Sequence, residues 1–63
     1  MSLLKRATAS NLDLGDVIIR NGERLMVHYI DEEKLGRNIH FKQEFGGDKM
    51  LFMTSDDPVT IEL

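Results

Sequence analysis

Asp16-Val17-Ile18-Ile19-Arg20-Asn21-Gly22-Glu23-Arg24-Leu25-Met26-Val27-His28-Tyr29-Ile30-Asp31 is the stretch whose reading decides the fold. Two apolar runs flank Asn21-Gly22. A two-residue type I′ turn needs positive φ at both central positions, and Asn and Gly tolerate that conformation best. The stretch therefore predicts a hairpin in which Arg20 faces Glu23, Ile18 faces Leu25 and Val17 faces Met26.

Downstream, Glu32-Glu33-Lys34-Leu35-Gly36 reads as a polar loop ending in glycine. The simplest return pairs Asp31 with Arg37, Tyr29 with Ile39, His28 with His40 and Val27 with Phe41. Side chains alternate across a strand, so Leu25, Val27, Tyr29, Ile39 and Phe41 are expected on the core face. Met26, His28, Ile30, Asn38, His40 and Lys42 are expected on the other. Gly46-Gly47 suits a second tight hairpin, with Glu44 opposite Lys49 and Phe41 opposite Phe52. That register sends Met50 and Phe52 to the core and Leu51 and Met53 outward, and a bulge in the loop would reverse the parity.

The flanks complete the plan. Met1 to Thr8 is a frayed end or a short first strand. Ser10 or Asn11 can cap a single turn, Leu12 and Leu14 can tuck under the sheet, and Gly15 allows a sharp bend into the strand. Ser55-Asp56-Asp57-Pro58 reads as a 3₁₀ turn before a last strand in which Val59, Ile61 and Leu63 alternate with Thr60 and Glu62. No segment carries a sustained helical period. The expectation is an all-β fold, a small five-stranded SH3-like barrel with a 3₁₀ turn before the last strand.

Asn11-Leu12-Asp13-Leu14-Gly15-Asp16-Val17-Ile18, followed by Asn21-Gly22 and Leu25-Met26-Val27, resembles the opening of KOW-type SH3-like domains. It is similar to the N-terminal domain of the translation elongation factor P family. The resemblance covers the first half of the chain and implies the barrel fold. That family carries a lysine at the tip of the loop after its second long strand, and Lys34 lies in the corresponding loop here. The family's proline- and glycine-rich loop tip is missing, and Glu32 and Glu33 stand beside Lys34.

Sixty-three residues form one domain, 1–63, because a chain of this size buries only about 60% of its unfolded surface and cannot divide that between two cores. There are no cysteines, which excludes disulfides and Cys-based zinc sites and makes a reducing cytoplasm the expected location. No apolar stretch of signal-peptide or membrane-spanning length follows Lys5 and Arg6, so no membrane association is expected. Eleven acidic against eight basic residues give a net charge of −3, which opposes non-specific attraction to phosphate backbones.

The candidate surface is the outer set Met26, His28, Ile30, His40, Leu51 and Met53, with Val17 and Ile19 on the neighbouring strand. Apolar residues grouped on one sheet face form an interaction surface, and methionines give such surfaces adaptable packing. The functional expectation is a non-catalytic protein-interaction or oligomerisation module, a homo-oligomer or a small accessory subunit. An opposed His28 and His40 would have side-chain origins about 5 Å apart, yet two ligands make no structural zinc site. With no third His or Cys, no metal and no cofactor are expected.

The alternative is a KOW-type nucleic-acid or ribosome-associated module using Lys34, Arg37 and Lys42. Against it, each basic residue has an acidic neighbour, and placing Tyr29 and the phenylalanines in the core leaves no exposed aromatic row for base stacking. The acidic groups at Asp13/Asp16, Asp31-Glu32-Glu33 and Asp56-Asp57 fall in expected turns, where such residues bond the local backbone. Ser10 and Ser55 lack a base, and no nucleophile constellation or phosphate-cradling loop is present, so catalysis is not expected.

Overall fold

The computed structural model describes residues 3–63. Strand β1 spans Leu4–Thr8 and is followed by a single 3₁₀ turn, Ala9–Asn11. Then come β2 (Val17–Arg20), β3 (Glu23–Glu33), β4 (Gly36–Gln43), β5 (Asp48–Met53) and β6 (Pro58–Glu62). All six form one antiparallel sheet in the order β1-β6-β2-β3-β4-β5, which is not closed and has β1 and β5 as its edges. Of the two readings left open for Met1 to Thr8, a strand is present from Leu4 onward, and Met1 and Ser2 lie outside the described residues. Six strands replace the expected five.

The β2–β3 hairpin has the predicted register: Arg20 faces Glu23, Ile18 faces Leu25 and Val17 faces Met26. Asn21 and Gly22 both take positive φ, 51° and 79°, as a type I′ turn demands. Gly15, at φ 92°, makes the bend into β2, and its N–H donates to the Val27 carbonyl at 2.8 Å.

The β3–β4 register departs from expectation after its first pairs. Val27 faces Phe41 as predicted, but a bulge lies between Val27 and Tyr29, so Tyr29 faces His40, Ile30 faces Ile39 and Asp31 faces Asn38. His28 is the extra residue. The strands run on to Glu33 and Gly36 and meet through Lys34 and Leu35 alone, so Asp31-Glu32-Glu33 lies in strand and not in a loop. One inserted residue reverses the facing of everything beyond it. Tyr29 consequently leaves the core for the outer face, and Ile30 packs against the core.

The β4–β5 register differs as well. Lys42 faces Asp48, His40 faces Met50 and Asn38 faces Phe52, so the chain returns to β5 only after residues 44–47, a loop in which Gly46 takes φ 104°. The offset from a Gly-Gly hairpin is odd, and parity flips. Met53 is a core residue, Leu51 packs against the core, and Met50 and Phe52 are exposed.

The core consists of Ala9, Leu12, Ile18, Leu25, Val27, Ile39, Phe41, Met53, Val59 and Ile61. Each large member removed from water contributes about 1.5–3 kcal/mol. Leu14, expected to tuck under the sheet, is exposed, and so is Leu63. The 3₁₀ segment precedes β2 instead of β6. It is held by Thr8, whose N–H and Oγ1 both donate to Asn11 Oδ1 at 3.2 and 3.0 Å, while Thr54 to Asp57 form a simple turn through Asp57 N–H and the Thr54 carbonyl.

Candidate interaction surface

The outer face of β3, β4 and β5 groups four exposed apolar side chains, whereas Leu3, Leu4, Leu14, Leu35, Phe45 and Leu63 are exposed at turns, loops and the sheet's ends. Met26, Tyr29, Met50 and Phe52 are 40%, 54%, 56% and 53% exposed. Strand pairing places them together. His40 on the central strand has Tyr29 on one side and Met50 on the other, Asn38 has Asp31 and Phe52, and Lys42 has Met26 and Asp48.

The bulge brings two consecutive residues of β3 onto the same neighbour. The Tyr29 and His40 rings meet edge to face at 5.2 Å and 67°, and the His28 and His40 rings at 6.3 Å and 82°. Such edge contacts suit the ring quadrupoles. His28 Nε2 is buried without a hydrogen-bond partner and lies 3.8 Å from Asp48 Oδ2. The histidines are therefore neighbours, as expected, although not a directly opposed pair. Among the described residues, no three His, Cys, Asp or Glu side chains come together to hold a metal ion.

Of the six residues read from the sequence as the surface, Met26, His28 and His40 belong to it, whereas Ile30, Leu51 and Met53 face inward. Tyr29, Met50 and Phe52 replace them. The alternation of apolar residues along 25–30 and 49–53 identified the strands, but not which half of each alternation faces water.

The three cations read as a nucleic-acid set do not form one site. Lys34 is exposed in the two-residue turn and shares an open cleft with Ser10, Glu32, Glu33, Leu35, Gly36, Arg37 and Ser55. Arg37 is engaged: Nη1 donates to the carbonyls of Ala9 and Leu12, and Nε to Glu32. Lys42 lies toward the opposite end of β4. The cleft's two serines have no imidazole among its lining residues.

Asp16 and Asp57 do what turn aspartates do, accepting from Asp13 N–H at 2.9 Å and Thr54 N–H at 3.0 Å. On β3, Arg24 bonds Glu62 of β6. The hydrogen bond and charge of that carboxylate, with Glu44 adding to them, hold the Arg24 guanidinium above its ordinary pKa.

No protein-family model, curated protein or solved structure matches the chain. Among the described residues no helix is long and apolar enough to cross a membrane.

Proposed function

We propose that this chain is a non-catalytic protein-interaction or oligomerisation module that binds through the outer face of β3, β4 and β5. The observation that carries this reading is the cluster of Tyr29, Met50 and Phe52, each more than half exposed, around the half-buried His40. Scattered single apolar residues are ordinary on a small protein, whereas a contiguous group on one sheet face marks a contact surface. Aromatic side chains and methionine are the types enriched at interface centres. Strands β2 to β6 support an SH3-like origin for the fold: they run as a meander whose last strand returns to pair with the first, and β1 adds a sixth strand to β6.

The test compares the wild type with Tyr29→Glu, which charges the middle of the face without touching the core. Solution mass is measured by light scattering across concentration, alongside capture of proteins from the native lysate. Loss of self-association or of a captured protein in the folded variant supports the reading. Equal behaviour of the two proteins, or a wild type that associates with nothing, overturns it.

A second reading, nucleic-acid binding of KOW type, is favoured by one observation: Tyr29 and Phe52 offer exposed rings, beside the half-buried His40, on a sheet face that also holds Lys42. Base stacking on such rings is sequence-tolerant. The net charge of −3 and the engagement of Arg37 weigh against it. Fluorescently labelled single-stranded oligonucleotides at low salt test it, with binding lost in Lys42→Glu as the supporting result and no binding as the refuting one.

A further inference from the structure

The surface described above does not end at β5. Met50 and Phe52 lie on the last strand of an open sheet, and β5 pairs with β4 alone. A strand with one unpaired side presents a row of N–H and C=O groups ready to accept another strand. Natural sheets blunt such edges with charge, proline or a bulge. In β5 only Asp48 and Lys49 are charged, and Met50-Leu51-Phe52-Met53 has no such protection. Leu51, Phe52 and Met53 also line a cleft together with Arg20, Asp57 and Pro58 of the same chain, and no strand of the chain fills it.

From this we infer that the partner of the proposed surface is a second copy of this chain, joined β5 to β5 in antiparallel fashion about a two-fold axis normal to the sheet. The inference rests on the interaction reading of the outer face, which such pairing would continue from one copy into the other.

The sequence of β5 selects the register. In a continuous sheet, opposed residues point to the same face, so each residue can meet only residues of its own parity. Centring the axis on Leu51 opposes Leu51 with its own copy, Met50 with Phe52 and Lys49 with Met53. Three consecutive pairs are then apolar and no like charges meet. Centring on Met50 would set Asp48 against Phe52 and Lys49 against Leu51, and centring on Lys49 would oppose two lysines, which destabilises a strand pair. Centring on Phe52 would leave only residues 51–53 paired within the strand.

The other edge is unsuited to the same arrangement. Strand β1 carries Lys5 and Arg6 in succession, one on each face, so its central self-pairings oppose lysine with lysine or arginine with arginine. Pairing β5 of one copy with β1 of the next would be heterologous and would propagate without closing.

Leu51→Cys under mild oxidation provides the test. Position 51 faces the core side of the sheet, so two such cysteines meet through edge pairing and not through stacking of outer faces. The expected results are a wild-type mass that doubles from 7.2 kDa and plateaus with concentration, and a disulfide-linked dimer of the variant. On the unaltered chain, hydrogen exchange should slow at the outward amides of β5 as concentration rises, which gives a reading independent of the variant's folding. A dimer without the Leu51→Cys crosslink and without β5 protection overturns edge pairing and leaves the outer-face reading standing. A monomer at every concentration, or a mass that grows without a plateau, also overturns it. The Tyr29→Glu comparison then decides the outer-face reading separately.

Discussion

Arg37 reaches Ala9 across the curl of the sheet: its Nη1 donates to the Ala9 carbonyl at 2.8 Å, and the same nitrogen donates to Leu12 at 3.2 Å. Three strands, β6, β2 and β3, separate β1 from β4 in the sheet. A side chain on β4 can reach the residue after β1 only because the sheet folds back on itself. Arg37 thus fastens the unclosed sheet from inside.

Arg37→Ala is expected to cost about 1–3 kcal/mol, since it strands part-buried carbonyls that folding has taken from water. Arg37→Lys should recover only part of this, because an ammonium cannot reproduce the planar fork. Glu32→Ala, which removes only the exposed carboxylate on Arg37 Nε, should cost under about 1 kcal/mol. Urea denaturation midpoints check the order, and equal losses for Arg37→Ala and Glu32→Ala would refute it.

Gly36 is needed for space and not for its φ. A Cβ there would lie 2.5 Å from the Met53 carbonyl oxygen and 2.8 Å from Phe52 Cζ. The first neighbour is backbone and cannot turn aside, so Gly36→Ala should lower stability by about 1–3 kcal/mol, the range for overpacking. Gly47 has nothing within 4 Å of such an atom and no positive φ. Gly47→Ala should therefore be neutral or stabilising by up to about 1 kcal/mol through the unfolded chain. Thermal melts of the two variants should move apart, and a shared shift would contradict the distinction.

Asn21-Gly22 was legible in the sequence because a type I′ turn has its own residue code and fixes register through two residues. The bulge at His28 was not, because Val27-His28-Tyr29-Ile30 offers an apolar side chain to either face whether or not a residue is inserted. Lys34-Leu35 turns the chain in two residues without positive φ at either, and so leaves no glycine or asparagine mark. Gly46-Gly47 marked a turn but not its length. The β3–β4 and β4–β5 registers each differ from expectation by an odd number of residues, so the apolar runs mark β2 to β6 while half of the candidate surface falls on the opposite face.

His28 offers a test of the bulge. Its Nε2 is buried and has no hydrogen-bond partner, a state that costs stability unless something offsets it. Replacing the ring with one of similar shape and no such atom, His28→Phe, should be neutral or stabilising by up to about 1 kcal/mol, and the edge contact with His40 should persist as ring-current shifts in the NMR spectrum. Clear destabilisation would show that the nitrogen is satisfied in solution, with Asp48 as the nearest candidate.

The parity of β5 can be decided by two neighbouring substitutions. Met53 is 4% exposed within the core and Phe52 is 53% exposed on the outer face. Met53→Glu places a carboxylate among Leu, Ile, Val and Phe side chains, where an unpaired charge is strongly unfavourable, and should cost more than about 3 kcal/mol, enough to unfold a domain of this size. Phe52→Glu exchanges an exposed ring for an exposed carboxylate and should leave the chain folded, with near-native circular dichroism and a lowered tendency to associate. A folded Met53→Glu beside an unfolded Phe52→Glu would restore the register of a two-residue Gly46-Gly47 turn and remove Met50 and Phe52 from the surface.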